Sequence, residues 1–105
     1  MPIRVSSTKQ IEALVADLRS PDAVKREAGV ARLTVIGARA VERLIAVAET
    51  GAEPAPARAA AWRALEAIGD PRALDPALHA LASPAIDADA GVAAIGVARV
   101  FVRGP

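Results

Sequence analysis

Asp75, His79 and Ser83 stand at successive intervals of four residues, so on a helix an acid, an imidazole and a hydroxyl would line one face. Such a line invites nucleophilic chemistry, because an acid can orient the imidazole that deprotonates a hydroxyl. The setting is poor for it. Ser83 sits beside Pro84 at an expected helix end, and no glycine-rich turn is placed to supply oxyanion donors. A helix start, one exposed histidine and a helix stop explain the same three letters. Asp75 and His79 could also offer two ligands to a metal, but a stable zinc site needs three or four. His79 is the only histidine, and the chain has no cysteine. Asp87 and Asp89 fall at a helix start, where carboxylates cap amides and favour the dipole. No catalytic, metal or cofactor-binding residue is assigned, and the expectation is a protein that is not an enzyme.

The arginines raise a different chemistry. Arg26, Arg32, Arg39, Arg43, Arg58, Arg63 and Arg72 could form a basic track for nucleic acid if a repeat aligned them. Glu27, Glu42, Glu49, Glu53, Glu66 and Asp70 are interleaved, which usually marks a solvated face with local ion pairs. Thirteen basic and twelve acidic residues leave a formal charge of +1, no electrostatic footprint for nucleic acid.

Periodicity supplies the elements that must carry these groups. Ile11, Leu14, Val15 and Leu18 fall on one face of a helix over about 8–19. Ser20, Pro21 and Asp22 stop it and start a second helix, about 21–36, which Gly37 ends. A third, about 39–50, carries Val41, Leu44, Ile45 and Ala48 inward. Residues 52–56 read as a proline-containing loop, and a fourth helix, about 57–68, ends at Gly69. Asp70 and Pro71 open the next element. Its helix, about 74–82, has Leu74, Ala77, Leu78 and Leu81 as its stripe, and Asp87 caps a sixth over about 87–102. Hydrophobic residues make up 53% of the chain, yet only Trp62 and Phe101 are aromatic. A core of many alanines gains burial only where helices approach closely.

Arg26, Ala28, Leu33, Ile36 and Gly37 recur thirty-two residues later as Arg58, Ala60, Leu65, Ile68 and Gly69. Five matches at one offset, four in helices and one at the terminating glycine, mark an internal helix-pair repeat. One pair cannot bury its apolar face alone, so neighbours must stack into a continuous core. Matching sites in stacked repeats meet, which favours a structural role for Arg26 and Arg58. Trp62 matches Val30, and packing between successive first helices is its expected role; a stacking platform for a ligand is the alternative.

The stretch ARAAAWRALEAIGDPRALDPALHAL, residues 57–81, resembles the short HEAT-like repeat of the phycobilisome-lyase type. Arg58, Ala60, Ala64, Leu65, Ile68, Gly69, Asp70, Pro71, Leu78 and Leu81 occupy that pattern's places. The upstream copy lacks the Asp-Pro, with Ala38 and Arg39 instead. The resemblance spans about residues 8–103 and implies a right-handed α-α superhelix, an armadillo-like solenoid of about six helices. It also implies that the second helices line a concave protein-binding surface, and it places Glu42, Arg43, Ala46 and Glu49 on one of them and Asp75, His79 and Ala80 on the other, with Glu12, Ala13 and Ala16 extending the row. A minority of similar proteins handle tetrapyrrole attachment or DNA.

Residues 91–103 read GVAAIGVARVFVR, and Arg99 is the only charge between Gly91 and Val102. A helix apolar nearly all round is normally buried on more than one side. By repeat logic this is a first helix, yet the sequence stops where its partner should begin. Either the chain is a piece of a longer stack, or Ile95, Val97, Val100 and Phe101 meet a second copy, or they meet another protein. A two-fold dimer is the most economical closed solution. Val100 to Val102 could instead leave the helix as a short strand.

The expectation is therefore one all-α domain over 1–105. Its expected function is a non-catalytic protein-protein interaction or assembly module without a cofactor. Arg39, Glu42, Arg43, Asp75 and His79 would bind a partner protein, and Ile95, Val97, Val100 and Phe101 would form a homodimer. A tetrapyrrole-lyase subunit is the alternative from another class, and a nucleic-acid-binding protein ranks below it. MPIRVSSTKQ has no apolar signal stretch, and the sequence has no run of about 18 apolar residues for a membrane span, so the expected location is cytoplasmic.

Overall fold

Punctuation by Asp, Pro and Gly divides the described residues into six α-helices. The structure is a computed structural model that describes residues 7–83 and 86–101. Its helices are α1 (Ser7–Leu18), α2 (Ala23–Ile36), α3 (Val41–Glu49), α4 (Ala55–Ile68), α5 (Leu74–Ala82) and α6 (Ala88–Phe101). Two 3-10 turns, Gly37–Ala40 and Pro71–Ala73, lead into α3 and α5, and no strand occurs among the described residues. Val100 and Phe101 are helical, against the strand alternative, while Val102 lies outside the described residues.

The caps explain where elements begin. Asp22 Oδ1 accepts from the Val24 amide at 3.0 Å, so α2 starts at Ala23 rather than Pro21. Asp87 Oδ1 accepts from the Ala90 amide at 2.9 Å and starts α6 in the same way. Pro56 belongs to the first turn of α4, not to the expected loop, because a first-turn residue has no helical acceptor for an amide and loses nothing by being proline.

The two helix-ending glycines differ. Gly69 takes the left-handed conformation at φ 72°, ψ 23°, and the Asp70 side chain then caps the Arg72 amide at 2.9 Å. Gly37 adopts φ 73°, ψ −132°, and no carboxylate follows it to cap the next turn. Ala38 stands where Asp70 stands one repeat later.

Packing arranges the helices in two rows. α2, α4 and α6 are successive neighbours in one row, and α1, α3 and α5 follow one another in the second. α1 packs on α2, α3 on α4 and α5 on α6. The chain measures 48 × 34 × 21 Å, and the shortest extent accommodates two helix layers about 10 Å apart. Ile11, Leu14, Val15, Leu18, Leu33, Val41, Leu44, Val47, Trp62, Leu65 and Val97 form its larger buried side chains, with alanines between them. Close approach is visible at Gly29, where an added Cβ would stand 3.3 Å from both the Leu14 carbonyl oxygen and Leu18 Cδ2. Its counterpart one repeat later, Ala61, is fully buried where α4 meets its neighbours.

Ion pairs join positions roughly one repeat apart: Glu12 to Arg43, Arg19 to Glu53, Glu27 to Arg63, Glu42 to Arg72 and Arg58 to Asp87. Their separations run from 29 to 36 residues. Arg26 and Arg58, the matched arginines, each reach back to a carbonyl, Ser20 O at 2.9 Å and Gly51 O at 3.3 Å. Exposed pairs contribute about 0–1 kcal/mol each, so the ladder fixes register more than it stabilises.

The stripes need two corrections. Leu78, expected inside, is 48% exposed, because α5 turns Ala77 toward the core and Leu78 away from it. Val97, expected on the open end face, is fully buried and belongs to the core. No helix among the described residues is long and apolar enough to cross a membrane.

Candidate functional site

The second row ends in a cavity. Ala48, Glu49 and Gly51 bring the end of α3 to it, and His79, Ala80 and Ser83 bring the end of α5. Arg58 and Trp62 from α4 form its base, and Ile86 and Asp87 close it ahead of α6. Its volume is about 470 Å³. Trp62 is only 1% exposed, so packing is its main role, and its remaining surface looks into this space.

The wall is held by one well-connected pair. Arg58 Nη2 donates to Asp87 Oδ2 at 2.9 Å, and the other Asp87 oxygen accepts the Ala90 amide. That amide is the main reason the Asp87 carboxyl lies below its ordinary range; burial opposes it, and Arg58 adds to the lowering. Glu49 and His79 stand exposed at the rim.

The five residues expected to bind a partner do not act as one free row. Arg43 is half-buried and engaged by Glu12 through two hydrogen bonds of 2.6 and 3.1 Å. That bonding holds the Glu12 carboxyl below its usual range. Glu42 accepts from Arg72 at 3.2 Å, while Arg72 also grips Asp70 and the Ala38 carbonyl. Arg39 is exposed on the 3-10 turn, and Asp75 is exposed on the first turn of α5. Of the five, His79 alone lines the cavity.

The line of Asp75, His79 and Ser83 divides as well. His79 and Ser83 face the cavity and Asp75 does not. No group of three or more metal-ligating side chains converges among the described residues. Of the seven arginines in the candidate basic track, Arg43, Arg58, Arg63 and Arg72 already hold carboxylates, so a phosphate would have to displace them. On α6, Val92 is 71% and Ile95 46% exposed, whereas Val100 and Phe101 are half-buried and Phe101 packs against the core. The outward face of that helix is therefore Val92 and Ile95, and only Ile95 among the four expected residues stands fully on it.

No protein-family model matches this chain, and no curated protein matches it. Sequence reasoning missed the joining of Arg58 to Asp87, which Asp87's role as a cap concealed. The signal was present: the two lie 29 residues apart, close to the repeat.

Proposed function

We propose that the chain is a non-catalytic protein-binding and assembly module, a right-handed HEAT-like solenoid whose α3 and α5 present the binding face. Support for the solenoid comes from the two rows of helices, the thirty-two-residue repeat and the ion pairs at repeat spacing. The observation that carries the binding role is the cavity of about 470 Å³ between the ends of α3 and α5, with exposed Glu49 and His79 above the buried Trp62. Pockets that combine an apolar base with a few polar groups at the rim are the usual anchor points of recognition. Arg39, Glu42 and Asp75 extend the face with mixed charge, which sets orientation and partner choice. Assembly belongs to the exposed Val92 and Ile95 of α6, where a second copy would bury them.

The test is capture on the immobilised chain from extract of the cells that make it, beside a folded variant carrying Glu42→Lys, Glu49→Lys and Asp75→Lys. The reading expects a retained protein that the variant loses. Equal retention by both, or none by either, contradicts it. An absorbance shift on mixing with an open-chain tetrapyrrole would favour a lyase subunit instead.

A further inference from the structure

The wall of the α3–α5 cavity is electrically lopsided. Both nine-residue helices end at it, and a helix C-terminus carries roughly half a negative charge. Glu49 adds a full carboxylate in the last turn of α3, where the helix field already disfavours an anion. No cation or donor answers it among the described residues. The positive groups of the same wall are satisfied: Arg58 donates to Asp87 and to the Gly51 carbonyl, and the first amides of α6 meet Asp87 through Ala90. With His79 neutral, the charged side chains of the lining, Glu49 and Asp87 against Arg58, sum to −1.

The complement is a cation rich in N–H donors on an apolar stem. The half-buried Ala80 and Ile86 supply apolar surface for the stem, with Trp62 and Ala48 buried behind them. A volume of about 470 Å³ lies within the range of sites that enclose a small ligand, about 300–1,000 Å³. Guanidinium suits this wall better than ammonium. Its planar fork of donors can reach a carboxylate and separate helix carbonyls together, and it sheds water more readily.

We propose that this cavity anchors an arginine side chain of a partner protein, with the guanidinium between Glu49 and the ends of α3 and α5. The proposal rests on the protein-binding role above and names the chemistry of its partner. Glu49 is the group that selects charge, and the half-buried Ala80 and Ile86 are the surface along which the stem lies.

Trp62 is the only tryptophan, so its fluorescence reports on the cavity directly. The experiment titrates the intact chain with a capped alanine pentapeptide bearing a central arginine, with calorimetry as the second readout. A citrulline peptide of the same shape and n-butylguanidinium are the comparison probes. The arginine peptide should saturate, bind about tenfold tighter than the citrulline peptide, and lose about fivefold in affinity in the Glu49→Gln chain. Raising salt should weaken it further. Equal binding of arginine and citrulline peptides, or no binding by either readout up to about 1 mM, overturns the proposal. n-Butylguanidinium, which keeps the head and the stem, should bind within about tenfold of the arginine peptide, and its failure to compete with that peptide overturns the proposal too. If the peptide fails while the capture above still depends on Glu42, Glu49 and Asp75, the arginine anchor falls and the protein-binding reading survives. If capture fails as well, both fall.

Discussion

α4 and α6 are both fourteen residues long and occupy successive places in one row, yet they are buried in opposite proportion to their charge. α4 carries Arg58, Arg63 and Glu66, and it holds Trp62, Leu65 and five alanines in the interior. α6 has Asp89 and Arg99 as its only charges, and it shows Val92 and Ile95 to the outside. Neighbours make the difference. α4 has α1, α2, α3 and α6 around it, so apolar side chains are buried over most of its circumference, and Arg58 and Arg63 at the seams meet Asp87 and Glu27. Among the described residues, α6 packs mainly on α4 and α5. The same repeat position is exposed as Ala28 on α2 and fully buried as Ala60 on α4. Position in the row decides burial, and composition follows it loosely.

That contrast sets an order of effects. Trp62→Ala should be the most damaging change, destabilising by about 3–5 kcal/mol through the cavity it leaves in the middle of the row. Ile95→Ala should lie within about 0.5 kcal/mol of the parent. Chemical denaturation of both chains checks the pair; similar losses would mean that α6 is as enclosed as α4.

Gly29→Val comes next. The new side chain meets the Leu14 carbonyl, which belongs to backbone and cannot swing aside, so a loss of about 2 kcal/mol is expected in the same measurement. Gly29→Ala should cost less, since a few tenths of an ångström suffice and alanine favours the helix.

Asp87→Ala should destabilise by about 1–2 kcal/mol, because it uncaps α6 and leaves Arg58 without its carboxylate. Asp87→Asn keeps an oxygen for the Ala90 amide and should recover most of the loss. Thermal unfolding separates the two roles, and equal losses from Ala and Asn would assign the effect to the ion pair alone.

Acid should act at the same seams. Glu12, Glu53, Asp70 and Asp87 are all held below their ordinary values, the first two chiefly by Arg43 and Arg19, Asp70 by Arg72, and Asp87 by the Ala90 amide. A carboxyl lowered in the folded state takes up its proton more readily when unfolded. The stabilisation is therefore complete above the ordinary carboxylate range of about pH 4 and is lost as pH falls below that range, through the lowered folded-state values. Replacing Asp87 by Asn should flatten that slope, which pH-dependent unfolding would reveal.

The smallest effect on stability and the largest on assembly is expected from Val92→Glu with Ile95→Glu. Light scattering after gel filtration should give a dimer for the parent chain and a folded monomer for the double variant. A monomeric parent removes the self-association arm and leaves α6 outside the binding account.

Much of this fold was legible because its boundaries are written in residues with few conformational options. Gly69 in the left-handed region, Asp22 and Asp87 as caps, and the apolar spacing of α1 all act locally. What a single helix cannot encode is the direction of its neighbours. The stripe Leu74, Ala77, Leu78, Leu81 is centred correctly, but α5 buries a narrower arc and leaves Leu78 out. Val97 was misplaced because an all-apolar helix gives no clue to which side faces inward. The candidate site was legible only in parts: His79 and Glu49 could be placed on the second helices, whereas their meeting with Trp62 and Asp87 depends on how three helices end against one another.

Hydrogen exchange of the chain alone and in complex with the protein it captures tests the binding face most directly. New protection should concentrate along α3 and α5, strongest at Ala48, Glu49 and His79 beside the cavity. Protection confined to α6, or spread evenly with none at the ends of α3 and α5, would contradict the assignment of that face.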